Sequence, residues 1–154
     1  VDSAAVRASL ASGKLGRYVC DFPEPALLGQ AKVIALPHIG ASTEESEENC
    51  AVMAANQLID YLEQGNIANS VNFPNISMGR TRGTTRITFS NDNVAGVLGH
   101  VLSVLADQQV NVIDMVNKSR GELAFNIIDV EAPPDAAVSA AIAAIPHVIR
   151  VRVI

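Results

Sequence analysis

From residue 84 onward the sequence alternates between strand-like and helix-like patterns, in an order that few folds satisfy. Residues 84–90 alternate apolar and polar positions, with Ile87 and Phe89 on one face, as in a half-buried strand. Further segments predict a helix, two strands, a second helix and a last strand, at 93–105, 110–117, 123–131, 135–145 and 147–154. We therefore predict an α+β, ferredoxin-like βαββαβ domain, with two helices on one face of a four-stranded antiparallel sheet.

Capping and turn residues indicate where these elements begin and end. Asn93 is expected to cap the first helix, because its side chain can accept hydrogen bonds from the free N–H groups of a helix start. Asp135, after two prolines, opens the second helix, and Pro146 closes it. The tetrapeptide 118–121, Lys-Ser-Arg-Gly, predicts the hairpin turn between the two middle strands.

The first 66 residues predict only part of an α/β unit. Short apolar runs at 18–20 and 33–36 are typical of the buried strands of a parallel sheet, and Ser3 is expected to cap a short helix before them. A parallel sheet needs helices on both faces, and this stretch supplies too few. We therefore expect it to expose apolar surface, or to cover that surface by pairing with another copy.

A long helix follows, and after it the pattern disappears. Ser42 and Glu45 form a capping-box pattern at its start, and Gly65 is expected to end it. Residues 66–83 show no periodicity, so we predict an extended linker there. The expected division is an incomplete α/β remnant at 1–66, a linker at 67–81 and the ferredoxin-like domain at 82–154. The arginines near the boundary are expected to be solvated: Arg80, Arg82 and Arg86.

Composition excludes several classes of function. The net charge of −5 and the pI near 5.1 argue against a nucleic-acid-binding surface. No apolar run approaches the roughly 20 residues that span a bilayer. Cys20 and Cys50 lie far apart without metal-ligand spacing, so we expect a reduced, cytoplasmic chain without a metal site.

Two stretches resemble a known family. Residues 36–43, Leu-Pro-His-Ile-Gly-Ala-Ser-Thr, followed by a helix, resemble the histidine motif of the D-2-hydroxyacid dehydrogenases. Residues 70–74, Ser-Val-Asn-Phe-Pro, lead into the βαββαβ unit, which has Val-Asn-Val at 110–112 after its first helix. In this order they are similar to the D-3-phosphoglycerate dehydrogenases, whose C-terminal unit is an ACT domain. The resemblance covers almost the whole chain.

The resemblance implies the C-terminal part of an NAD-dependent enzyme of serine biosynthesis, which converts 3-phosphoglycerate to 3-phosphohydroxypyruvate. The chain begins at Val1 rather than Met, and it contains no G-x-G-x-x-G turn for a dinucleotide. In the family that turn lies upstream of the matched region. We therefore expect this chain to continue a longer protein and to be inactive alone.

The resemblance also implies a catalytic pair. His38 matches the family's base, which takes the hydroxyl proton of the substrate, and a histidine titrates in the right range for that role. Glu24 matches the carboxylate that holds the histidine, and Asp21 is the alternative partner because the spacing in this chain is short. The competing structural interpretation is that His38 only caps the loop before the long helix.

The second implied site binds a regulatory ligand. In the family, serine binds between two ACT domains, and the matching residues here are Asn91, Asn93, Gly96 and Asn111. We expect L-serine or another small amino acid as the ligand, and a homo-oligomer formed through the sheet edges. The alternatives are a stand-alone ACT-type sensor, and an oligomerisation module without catalysis in which these asparagines are ordinary turn and cap residues.

Overall fold

The computed structural model describes residues 1–154, which divide into two compact units at 1–51 and 52–154. The helices are α1 Ser3–Ala11, α2 Glu44–Gln64, α3 Val97–Asp107 and α4 Ala136–Ala143. The strands are β1 Tyr18–Cys20, β2 Val33–Ala35, β3 Thr85–Asp92, β4 Val112–Arg120, β5 Leu123–Val130 and β6 Val148–Val153. None of the helices is long and apolar enough to cross a membrane.

The second unit contains the predicted ferredoxin-like fold. Its four-stranded sheet has the order β4-β5-β3-β6, and every neighbouring pair is antiparallel. Ile87 and Phe89 share a face, as predicted, and pack with Val101 and Leu105 of α3 and Ile142 of α4. Because both helices contribute to this single apolar cluster, they lie on one face of the sheet. The predicted α+β, βαββαβ architecture is confirmed.

The opposite face of the sheet is covered by the segment that was predicted to be an extended linker. Ile67 and Ile76 pair as an isolated antiparallel bridge, and Ile76 and Met78 are buried against Phe125 and Ile127 of β5. This segment therefore packs as part of the second unit. The sequence could not indicate this packing, because the segment contacts the sheet only at every few residues and therefore shows neither a helical nor a strand-like period.

Arg86 is completely buried in the same layer, so the expectation that it is solvated is wrong. Its Nε and Nη2 atoms donate to Asp129 at 2.6 and 2.8 Å, and neither side chain is exposed to solvent. Its Nη1 atom donates to the carbonyls of Gln64 and Met78 at 2.8 and 2.9 Å. One guanidinium thus joins β3 and β5 to the end of α2 and to the covering segment.

Two more arginines complete the C-terminus of α2. Arg152 donates to the carbonyls of Tyr61 and Leu62, and Arg80 donates to that of Glu63. With Arg86 on Gln64, the last four carbonyls of the helix each accept from an arginine, and that of Tyr61 also accepts from the N–H of Gly65 at 3.0 Å. The positive charges also oppose the negative end of the helix dipole.

Three predicted helix caps are wrong by one or a few residues. The carboxylate of Asp2, not Ser3, accepts from the first N–H groups of α1, at 2.8 Å from Ala4 N and 3.1 Å from Ala5 N. At α2 the hydroxyl of Thr43, not Ser42, accepts from Ser46 N. Adjacent residues of cap-forming type leave the sequence ambiguous by one position.

The third wrong cap and the hairpin turn both lie at one end of the sheet. Asn93 does not cap α3, which begins after Gly96 in a left-handed conformation with φ of 93°. The hairpin turn is Gly121–Glu122 rather than 118–121, because Arg120 still pairs with Leu123. Gly121 has φ of 59°, which a two-residue hairpin turn requires of its first residue.

The first unit, at 1–51, is a small α/β element, whereas the sequence predicted an α/β remnant over 1–66. Strands β1 and β2 are parallel, with Tyr18 opposite Val33 and Cys20 opposite Ala35, and they form a sheet of two strands only. Its apolar cluster centres on three buried residues, Val6, Leu10 and Leu27. As predicted, apolar surface is exposed, and the large exposed side chains of this unit are Val1, Val19, Phe22, Leu28, Ile34, Leu36 and Ile39.

Candidate functional site

The first candidate site lies at one edge of the two-stranded sheet. Asp21 directly follows β1, and His38 follows β2 after two residues. Because the two strands are parallel neighbours, the residues after them lie at the same edge, which is where α/β sheets carry their sites. His38 Nδ1 and Asp21 Oδ2 are 2.8 Å apart.

The hydrogen bond from His38 lowers the pKa of the Asp21 carboxyl, and the backbone N–H of Asp21 contributes in the same direction. The carboxylate is therefore ionised over a wider pH range and holds the imidazole by Nδ1. The Phe22 ring lies edge-on to the imidazole, with centroids 5.7 Å apart. Nε2 is left free, in a side chain that is 67% exposed, and can exchange a proton with a bound molecule.

The predicted pairing of His38 with Glu24 is not formed. The Glu24 carboxylate accepts from the Ser3 hydroxyl at 2.7 Å, so it is held towards the start of α1. Glu24 immediately precedes the single 3-10 turn Pro25–Leu27. Of the two partners that the sequence left open, the structure places Asp21 beside the histidine.

The second candidate site is the loop between β3 and α3. Asn93 is bound to the hairpin turn, because its N–H donates to Glu122 O at 2.8 Å and its Nδ2 donates to Gly121 O at 3.0 Å. Asn91 is buried and donates from Nδ2 to the carbonyl of Asp92 at 2.6 Å. Gly96, in its left-handed conformation, completes the loop, so these three predicted residues lie together.

Asn111 lies at the other end of the sheet. Its backbone carbonyl accepts from Glu131 N, whereas Asn91 pairs with Ala124, seven residues earlier on β5. At strand spacing this separates the two asparagines by roughly 23 Å. The Asn111 amide donates to Glu131 Oε2 at 3.3 Å, at the edge of a cavity of about 230 Å³. A single chain therefore does not bring the four predicted effector residues together.

Sequence reasoning missed two polar clusters near the loop. Asp92 and His147 are 3.0 Å apart between carboxylate and ring nitrogen, and His147 has a left-handed backbone with φ of 72°. Asn126 is fully buried and hydrogen-bonds Asn91 and Asn117. An asparagine inside the apolar run of β5 was the available signal, since strands disfavour asparagine without a specific partner.

No group of three or more histidine, cysteine, aspartate or glutamate side chains is arranged to hold a metal ion. The two cysteines are free.

No protein-family model matches the chain. Among curated proteins it is similar to the D-3-phosphoglycerate dehydrogenase of Escherichia coli strain K12, with 36% identity over 79% of this chain and 30% of that protein. It is also similar to the D-3-phosphoglycerate dehydrogenase of Haemophilus influenzae, with 29% identity over 100% of this chain and 40% of that protein. The match to D-3-phosphoglycerate dehydrogenase 2 of Saccharomyces cerevisiae is 34% over 69% of this chain and 23% of that protein.

Among solved structures, the chain is similar to the ACT domain from GTP pyrophosphokinase of Chlorobium tepidum, with 10% identity and a TM-score of 0.42 over 48% of this chain and 100% of that one. It is also similar to a formyltetrahydrofolate deformylase from Pseudomonas putida, with 15% identity and a TM-score of 0.42 over 46% of this chain and 28% of that one. The chain spans less than half the length of the curated relatives described above. The resemblance that the sequence predicted is confirmed: the chain is similar, over most or all of its length, to the C-terminal part of D-3-phosphoglycerate dehydrogenases.

Proposed function

We propose that this chain is the C-terminal part of a cytoplasmic, NAD-dependent D-3-phosphoglycerate dehydrogenase of serine biosynthesis, and that its ferredoxin-like domain binds L-serine or another small amino acid as a regulator. The observation that carries the proposal is the similarity to the Haemophilus influenzae enzyme, which runs over the whole chain. It therefore includes both the His38 segment and the loop between β3 and α3.

In the parent enzyme His38 would act as the general base. Oxidation of a 2-hydroxy acid requires removal of the hydroxyl proton, and the free Nε2 of His38 can accept it while Asp21 holds Nδ1. This chain does not contain the G-x-G-x-x-G turn that would bind the pyrophosphate of the cofactor. We therefore assign NAD to the remainder of the parent and propose that this chain alone is inactive.

The regulatory part of the proposal requires a second copy of the chain. Strand β4 is at the edge of the sheet, and its Ile113 and Met115 side chains are 45% and 37% exposed. If β4 pairs with its counterpart around a two-fold axis, the start of one β4 lies beside the end of the other. Pairing would give a continuous eight-stranded sheet, and it would move Asn111 of one chain towards the Asn93 loop of the other.

A second function, an oligomerisation module without a ligand, is favoured by the hydrogen bonds that already engage the amides of Asn93 and Asn111. Calorimetric titration of L-serine into the purified chain, with D-serine and glycine as controls, separates the two. We expect stereoselective binding with at most one site per chain, and a loss of binding in Asn93→Ala. If none of the three amino acids binds, only the oligomerisation module remains.

A further inference from the structure

Three asparagines on adjacent strands form a row of hydrogen bonds across the sheet. Asn117 of β4 donates from Nδ2 to Asn126 Oδ1 at 2.6 Å, and Asn126 of β5 donates from Nδ2 to Asn91 Oδ1 at 2.8 Å. Asn91 of β3 then donates to the carbonyl of Asp92 at 2.6 Å. Asn117 is directly opposite Asn126 in the ladder, so the row follows the strand register. We call this row the amide relay.

The direction of the amide relay is fixed by its last acceptor. A backbone carbonyl can only accept, so Asn91 must turn its Nδ2 towards Asp92 and its Oδ1 towards Asn126. Asn126 must then present Nδ2 to Asn91 and Oδ1 to Asn117, which must in turn present Nδ2. The Oδ1 atom of Asn117 is therefore directed away from the row, and it has no hydrogen-bond partner within the chain.

Burial makes this direction rigid. Asn126 is completely buried and Asn91 is 5% exposed, whereas Asn117 is exposed on the edge strand. If the Asn126 amide were turned over, its Oδ1 would face the Oδ1 of Asn91 where water cannot reach. Such a mismatch costs more free energy in a buried site than in an exposed one. Donation from its NH₂ group also polarises the Asn117 amide, and this strengthens its outward oxygen as an acceptor.

The outward oxygen lies near the proposed amino-acid site. Asn117 and Asn91 are two strands apart, or about 10 Å, and both lie near the end of the sheet at which Asn93 binds the hairpin turn. An ammonium group has three donors and no acceptor, so it suits an outward carbonyl oxygen and not an outward NH₂ group.

We propose that Asn117 is a further ligand-binding residue of the amino-acid site, whose amide oxygen accepts a hydrogen bond from the ligand's ammonium group, and that the buried Asn126 is its positioning residue. This rests on the proposed amino-acid site at the loop between β3 and α3. It makes recognition of the ammonium group a property of the edge strand, separate from the contacts of the Asn93 loop with the rest of the ligand.

The test compares two ligands on the full chain by calorimetry: L-serine, and L-glycerate, which carries a hydroxyl in place of the ammonium group. We expect Asn117→Ala to weaken the binding of L-serine by about tenfold to a hundredfold, which is the range for the loss of a hydrogen bond to a charged group. The affinity for L-glycerate should change less than about threefold, because L-glycerate lacks the ammonium group. Asn126→Leu should reduce the preference for L-serine over L-glycerate in the same direction.

Thr88→Val is the matched control for Asn126→Leu, since Thr88 is also buried in the sheet but lies outside the amide relay. It should leave the preference unchanged. Asn117 is exposed, so its variant keeps the test valid even if Asn126→Leu fails to fold. Unchanged L-serine binding in Asn117→Ala, or an equal loss for both ligands, would overturn the inference while Asn93→Ala still abolishes binding. If the unmodified chain binds no amino acid, the proposed sensor and this inference fall together.

Discussion

Each unit of the chain contains a close pair of a carboxylate and a basic side chain, and these two pairs, Arg86 with Asp129 and His38 with Asp21, have opposite surroundings. Arg86 and Asp129 in the second unit are wholly buried, whereas His38 and Asp21 in the first are 67% and 57% exposed. Every polar side-chain atom of the buried pair has a hydrogen-bond partner, and solvent reaches neither side chain. The exposed pair keeps a free ring nitrogen in contact with solvent. Burial therefore makes one pair an element of stability and leaves the other available for chemistry.

The largest effect is expected from breaking the buried pair. Asp129→Ala would leave the Arg86 guanidinium charged without a counter-ion in the core, and such a loss lowers the free energy of unfolding by about 3–5 kcal/mol. Urea denaturation followed by circular dichroism measures it. Asp114→Ala is the matched control, because Asp114 is the ladder partner of Asp129 but is exposed. Its effect should stay within about 0.5 kcal/mol. Equal effects of the two variants would show that the buried pair contributes nothing specific.

The next effect tests whether residues 67–81 are packed structure or linker. Ile76 is 1% exposed and Val71 is 91% exposed, although both lie in this segment. Ile76→Ala should lower the free energy of unfolding by about 2–4 kcal/mol through lost burial and the remaining cavity. Val71→Ala should change it by less than about 0.5 kcal/mol. If both variants behave like the wild-type chain, the segment is a linker, as the sequence first indicated.

These two cases also explain how far the sequence could be used. The order of the six elements of the ferredoxin-like domain follows from periodicity, because each strand and helix repeats its own pattern over several residues. Ile76 lies in a stretch without a period, and the alternation of β3 places Arg86 on the face opposite Ile87 without indicating whether that face is buried. The burial of Ile76 and of Arg86 depends on Phe125 and Asp129, which are distant in the sequence. No local pattern carries that information.

The candidate sites divide in the same way. The histidine motif identified His38, and the resemblance of the βαββαβ unit identified the loop at 91–96, because these residues are contiguous with recognisable elements. The choice of Asp21 over Glu24 depended on which carboxylate the loop directs to the imidazole, and spacing alone left both open. Asn126 was missed because its role exists only through its neighbours on two other strands.

The smallest effect concerns the exposed pair and its pH dependence. The pKa of Asp21 is lowered from 3.8 mainly by the hydrogen bond from His38, so the interaction stabilises the fold above the unfolded pKa. That contribution is lost as the pH falls through the lower, folded value, in the range below 3.8. His38→Ala should therefore raise the pKa of Asp21 back towards its ordinary value, as followed by the carboxyl carbon shift in an NMR titration.

His147→Ala is the control for that titration. His147 forms the corresponding exposed pair with Asp92 at 3.0 Å in the other unit, so its removal should leave the Asp21 titration unchanged. The comparison isolates the hydrogen bond from any general change in the charge of the chain. A pKa of Asp21 that is unmoved by His38→Ala would mean that the two side chains are not held together in solution. In that case the free Nε2 would lose its fixed orientation, and the assignment of His38 as an oriented base would fail with it.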